Sequence, residues 1–146
     1  MSSIKLFQDK KVRSIWIEEE EQWYFSVVDV VEILTESPNP RQYWRKMKDR
    51  DLKQYELYPI WVQLRLQSTD GKRYLTDCAN VKSLFRIIQS IPSPKAEPFK
   101  QWLATVGYER MLEIENPELA QERMKMIYEQ KGYSKDWIDK RMMIDV

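Results

Sequence analysis

Two prolines one residue apart, Pro38 and Pro40, constrain this chain more than any other short segment. A proline ring removes a backbone donor, crowds the preceding turn and biases its neighbour away from the helical region, so no helix runs through residues 36–40. The same residues start a helix well, because Asn39 is a strong N-cap and Pro40 suits the first helical position. The segment therefore divides two helices on a short connection. Upstream, Ser26 opens the first of them and forms a capping-box-like pair with Asp29. Val27, Val30, Val31 and Leu34 follow at helical spacing and should face the core, with Asp29, Glu32 and Glu36 toward water. Valines are poor helix formers, so this assignment leans on periodicity and cap. Downstream, Arg41, Arg45 and Lys48 fall at i, i+4 and i+7 and form one basic stripe, with Trp44 and Met47 on a neighbouring stripe that can anchor the helix.

Around this pair the pattern changes period. Ile4–Phe7, Val12–Ile17 and Trp23–Phe25 are short strand candidates, with Glu18–Glu21 as a solvated turn. Val62, Leu64 and Leu66 alternate with Gln63, Arg65 and Gln67, as on a half-buried strand. Asp70-Gly71 signals a hairpin closed by a tight primed turn, and Lys72–Thr76 returns from it. Everything after Cys78 reads as helical. Val81, Leu84, Phe85, Ile88 and Ile91 mark one apolar face; Ala96, Phe99, Trp102, Leu103 and Val106 mark a second. Pro98 requires that second helix to begin near Glu97 or to kink early. Asn116-Pro117 starts a longer helix that Gly132 ends, and Ser134 caps a short final one through Met142. The expected class is α+β: a small antiparallel sheet of hairpins packed with several helices, plus a helical C-terminal arm. The expected boundary places a domain at 1–108 and the arm at 109–146.

With 146 residues, 42% of them hydrophobic, the chain can bury a real core. No apolar run reaches membrane-spanning length, and Met1–Lys5 carries no secretory signal, so a cytoplasmic protein is expected. There is no histidine and one cysteine, Cys78. The commonest general base and metal ligand is missing, a disulfide framework is excluded, and one thiol builds no structural zinc site. A carboxylate-only magnesium site stays open on these grounds. No phosphate loop, dinucleotide fingerprint or nucleophile elbow occurs, and Asp29 with Glu32 reads better as solvated charge than as a metal pair. We expect no enzyme, no catalytic residue, no metal and no cofactor.

Charge distribution is more informative than the net value of +1. Arg41–Arg50 carries five basic residues against one acid, Asp49. Two helices on a short connection, the second basic, suit a recognition helix in the major groove. Arg41 and Gln42 are residue types that read guanine and adenine edges, and Arg45, Lys46 and Lys48 would lie nearer phosphates. Tyr43 or Trp44 would stack on bases of a single strand. Arg65, Lys72 and Arg73 on the hairpin offer a second basic element, since a two-stranded ribbon can enter a groove or brace a backbone. Ser93-Pro94-Lys95 at a helix start suits a phosphate but is better read as an ordinary cap.

The residues also resemble a known family. Trp23–Val31 (WYFSVVDVV) is similar to the opening block of Bro-N domains, the N-terminal domains of baculovirus repeated-ORF proteins and of many phage antirepressors. Pro38-Asn39-Pro40-Arg41, Ser83–Ile88 and Ser93–Trp102 resemble three further blocks of that family, in family order, so the likeness covers roughly residues 10–107. Ser26 stands where alanine is common, and Leu84 lies where the family usually has a glycine. The resemblance implies an α+β fold and DNA binding, with roles in prophage induction or gene regulation; duplex is the expected ligand ahead of single strands. Gly132–Ile138 resembles the helical extension of a bacterial subgroup that includes DNA-damage-inducible protein D, whose members usually continue beyond it; this chain stops at Val146. A role in the DNA-damage response is expected on that ground. The rival expectation is a protein-interaction module that seizes a repressor or a recombination protein. Met124, Ile127, Tyr128, Trp137, Met142 and Met143 on the arm would pack back on the domain or form a homodimer surface.

Overall fold

The computed structural model describes residues 11–52 and 60–143. The expected strand Ile4–Phe7 lies outside them. The chain divides into two compact units, 1–100 and 101–146.

The first unit is built on a four-stranded antiparallel sheet of order β1-β2-β4-β3. Strands β1 (Ser14–Ile17) and β2 (Gln22–Ser26) form a hairpin through the acidic turn, where Glu21 takes a positive φ of 51°. Strands β3 (Val62–Gln67) and β4 (Arg73–Asn80) form the second hairpin. Strand β4 pairs with both neighbours, Leu66 facing Tyr74 on one side and Phe25 facing Ala79 on the other. The sheet with its helices is the expected α+β arrangement.

The proline break acts as the sequence predicts. Helix α1 (Val27–Thr35) is capped by Ser26, and α2 (Pro40–Arg50) by Asn39, whose side chain accepts from the Gln42 amide at 3.2 Å. Between them Glu36 adopts a left-handed φ of 55°. Val27, Val30, Val31, Trp44 and Met47 are buried, and they meet Phe25 of the sheet and Leu84, Ile87 and Ile88 of α3 (Val81–Gln89) in one core. Leu34 is only half-buried.

Three expectations need correction. Helix α3 begins at Val81, because Cys78, Ala79 and Asn80 still pair with β2 and the Asn80 side chain caps the helix at the Ser83 amide. The second hairpin closes without a primed turn. Thr69 and Asp70 keep negative φ, Gly71 takes +85°, and the amides of Gly71 and Ser68 bond the carbonyls of Ser68 and Lys72. A turn followed by a left-handed glycine makes a longer, bulged loop, the common alternative to a two-residue one. Finally, Asp29 does not face water. Its carboxylate accepts from the Arg13 amide at 3.0 Å, from Nε at 2.8 Å and from Nη2 at 3.1 Å, and it is largely buried. Arg13 Nη2 also reaches the Ser26 hydroxyl, and Nη1 the Gln67 carbonyl. The hydrogen bond to Asp29 holds the Arg13 guanidinium above its usual pKa, against burial.

A 3₁₀ turn (Pro94–Ala96) leads into α4 (Glu97–Glu115), which begins at Glu97 as Pro98 requires. Phe99 packs on Phe85 with ring centroids 6.1 Å apart, whereas Trp102 and Val106 are exposed rather than on a buried face. The first unit ends at Lys100, within the first turn of this helix.

The second unit holds the rest of α4 with α5 (Glu118–Gln130) and α6 (Lys135–Met142). Gly132 takes a φ of +87° after α5, and Ser134 caps α6 at the Trp137 amide. Tyr133 stacks on Trp137 at 4.3 Å, Tyr128 meets both rings edge-on, and Ile138 is buried. Glu113, 5% exposed, accepts from both Nε and Nη2 of Arg123.

The Arg13–Asp29 pair generates a stability prediction. Asp29→Ala leaves a guanidinium and an amide without their acceptor, and charged hydrogen bonds of this kind contribute about 1.5–3 kcal/mol. The variant should lose about 2 kcal/mol in urea unfolding, with the m-value unchanged; wild-type stability would mean that water replaces the carboxylate without loss.

Candidate nucleic-acid interface

Helix α2 lies alongside one face of the β3–β4 hairpin. The pairing puts Gln63 opposite Asp77, Arg65 opposite Leu75 and Gln67 opposite Arg73, so these six side chains share a face. Asp77 ties this face to α2: its carboxylate accepts from Trp44 Nε1 at 2.8 Å and from Lys48 Nζ at 2.8 Å, and Gln63 adds a longer contact. Trp44 is buried and packs edge-on against Trp61 at 5.3 Å, with the Lys48 ammonium 5.5 Å from its ring. Trp44 is therefore the anchor of the helix.

Between helix and hairpin lies a cleft of about 550 Å³. Arg41, Arg45 and Lys48 line it from α2; Gln63, Leu75 and Asp77 line it from the hairpin; Arg13, Ser68, Asp70 and Tyr74 also border it. The volume lies in the range of sites for small molecules or single molecular groups. Four cations meet two carboxylates here, but they are not equivalent. Arg13 is paired with Asp29 and Lys48 with Asp77. Arg41 and Arg45 are exposed and make no ion pair among the described residues.

The remaining sequence-predicted residues do not line the cleft. Gln42 and Lys46 are exposed on α2, and the Gln42 oxygen accepts from Asn39 Nδ2. Tyr43 is half-buried near the Ser93 backbone; burial pushes its phenol above the usual pKa. Arg65 and Arg73 are exposed on the hairpin face that carries Asp77, and Lys72 is exposed in its loop. Ser93 caps only the 3₁₀ turn, and Lys95 pairs with Glu36.

Sequence reasoning missed Arg13 and Asp77, both fixed by partners far along the chain. The one available signal was their type: an arginine and an aspartate at the ends of strand-forming segments. Among the described residues no group of three or more Cys, Asp or Glu side chains could hold a metal, and no helix is long and apolar enough to cross a membrane.

This is a small α+β module with a basic cleft between a helix and a hairpin. The sequence model of the BRO family, N-terminal domain (Bro-N), matches residues 11–109, and the chain belongs to that family, generally a DNA-binding N-terminal domain of antirepressor-like proteins. No curated protein and no solved structure compared with the chain matches it significantly.

Asp77 carries a pH dependence. Burial alone would raise its pKa, but hydrogen bonds from Lys48 and Trp44 outweigh it and hold the carboxyl below the usual carboxylate range. A depressed folded pKa gives stability that is present above the unfolded value, about 3.9, and lost as pH falls through the folded one. Asp77→Asn should therefore melt below wild type at pH 7, and the gap should narrow steadily as the pH drops below 4. An acid-independent gap would assign the loss to packing instead of charge.

Proposed function

We propose that the first unit binds DNA through α2 and the β3–β4 hairpin, as a regulatory module of the antirepressor type that acts by binding and not by catalysis. The observation that carries this reading is the cleft where two basic elements converge with Arg41 and Arg45 unpaired at its border. An ion pair already made gains little from a phosphate; a free guanidinium releases counterions and gains much. Arg41, Gln42 and Arg45 are proposed as the central contacts, with Tyr43, Lys46, Arg65, Lys72 and Arg73 around them. Lys48 contributes a donor whose charge Asp77 already balances. Residues 1–108 form the proposed binding domain and 109–146 an extension. The likeness of Gly132–Ile138 to a damage-inducible bacterial subgroup supports a cytoplasmic role in the DNA-damage response or in prophage control.

The second unit favours an additional reading. Tyr108, Met111, Ile114, Met126 and Met143 are each more than half exposed, and exposed apolar side chains gathered in one unit suit a protein contact. We propose that this unit contacts a protein, either a second copy of this chain or a repressor or recombination protein. Light scattering across a concentration series tests the first case, with a mass near twice 17.8 kDa as the expected result.

DNA binding is tested by fluorescence anisotropy with labelled duplex and single-stranded oligonucleotides over a salt series. About five neutralised phosphates give a logarithmic salt slope of about −4 to −5 on duplex. The folded double variant Arg41→Ala/Arg45→Ala should lose most of the affinity and about two units of slope. Undiminished binding by that variant would remove the cleft from the interface, and absence of wild-type binding at low salt would leave the protein-contact reading.

A further inference from the structure

The basic surface does not end at the cleft beside α2. A second cleft, about 540 Å³, adjoins the first and shares Arg13, Arg41 and Ser68 with it. Its own walls add Lys11 from the segment before β1 and Thr69 from the hairpin loop, over the side chain of Asp29.

The charges of this second cleft are sorted in the same way as those of the first. Asp29 is occupied by three donors from Arg13, so it presents little unbalanced negative charge to an incoming anion. Arg13 in turn is held by Asp29, Ser26 and the Gln67 carbonyl. Lys11 and Arg41 are exposed and unpaired among the described residues, and the hydroxyls of Ser68 and Thr69 have no hydrogen-bond partner there. Two free cations and two free hydroxyl donors around one opening are the groups that bind a phosphodiester. A single anion would fill one cleft and leave the other idle. Two clefts joined by a shared arginine suit a chain of phosphates.

We propose that this second cleft is a phosphate site continuous with the DNA interface. The nucleic-acid backbone runs from Arg45 past Arg41 and across the hairpin loop to Lys11, with Ser68 and Thr69 donating to it. Arg13 is a positioning residue: it holds the Asp29 carboxylate away from the phosphates and fixes the end of β3 beside them. This rests on the DNA-binding reading above and extends it to residues outside α2 and the basic hairpin positions.

The test uses the full chain and the same oligonucleotides, with Lys11→Ala, Thr69→Val and, as a control, Lys82→Ala on the exposed face of α3. Loss of one phosphate contact lowers the magnitude of the salt slope by about 0.7 to 0.9. Lys11→Ala should show that change with an unaltered melting curve. Thr69→Val should weaken binding by about two- to tenfold at unchanged slope, the effect of one neutral hydrogen bond. Lys82→Ala should match wild type. If Lys11→Ala keeps the wild-type slope while Arg41→Ala/Arg45→Ala is impaired, the DNA-binding reading stands and the second site falls. If Lys11→Ala loses binding of inorganic phosphate in calorimetry but keeps its oligonucleotide slope, the cleft is a free-anion pocket and the continuous track is overturned. Wild type that binds neither oligonucleotide at low salt overturns both readings together.

Discussion

The hydrogen-bonded pair of Arg13 and Asp29 joins more of the first unit than any other contact. Through it the segment entering β1 is tied to the first turn of α1, and the same guanidinium reaches the Ser26 cap and the carbonyl that ends β3. The backbone of Arg13 closes the circuit, because its carbonyl accepts from the Ser26 amide. A helix start, a strand entry and a hairpin end are thereby fixed to one rigid planar group. Arginine suits this role because its fork satisfies a carboxylate from two sides and stays charged at any accessible pH. Serine at position 26 supplies both the cap and a contact to that guanidinium.

Asp77 repeats the device on the other side of the site. It binds α2 to the hairpin through one indole and one ammonium, while the hydrophobic seam of Trp44 and Met47 holds the helix on the core. The internal charges of the interface are thus matched with one another, and the unmatched ones stand on the surface. Such an arrangement separates two tasks that compete when one lysine must do both. Buried pairs give geometry, since breaking them leaves an uncompensated charge. Exposed guanidiniums would give the proposed interface its affinity, since their solvation is exchanged for phosphate and released counterions. The basic stripe of α2 therefore has unequal members although its spacing is regular: Lys48, third in the row, is paired with Asp77, whereas Arg41 and Arg45 make no ion pair among the described residues.

What the sequence made legible follows from the range of the interactions. Local punctuation was readable: the Pro38–Pro40 break, the Asn39 and Ser134 caps, the Gly132 stop and the alternation of Leu64 and Leu66 each depend on residues within a few positions. The path of the hairpin loop was not, because Asp70-Gly71 serves a two-residue turn and a bulged one equally, and strand twist and register decide between them. Nor was the fate of Asp29. Its spacing from Ser26 fits a capping box and its helical position fits solvent, yet an arginine sixteen residues earlier claims it. The strand character of Ala79 and Asn80 is hidden for a related reason. Cys78 and Ala79 are neutral in pattern, and only their pairing with Phe25 and Ser26 keeps them in the sheet. The charge stripe on α2 could be seen in the sequence, but the partner that neutralises part of it lies 29 residues away on β4.

The near-neutral net charge is itself a consequence of two unlike units. Residues 1–100 hold seventeen Lys and Arg against fourteen Asp and Glu, a net of +3; residues 101–146 hold seven against nine, a net of −2. A polyanion is attracted to the local potential and not to the sum. The acidic balance of the helical unit disfavours it as a second phosphate surface, and its exposed methionines and isoleucine suit the protein contact proposed for it. Within the first unit the acids are also unevenly placed. Four glutamates occupy the β1–β2 turn, while of the carboxylates beside the basic clefts Asp29 and Asp77 are spent on internal pairs and Asp70 accepts from the Tyr74 hydroxyl and the Lys72 amide. Moving those charges into pairs and onto a distant turn is how a domain of modest net charge keeps a strongly cationic surface.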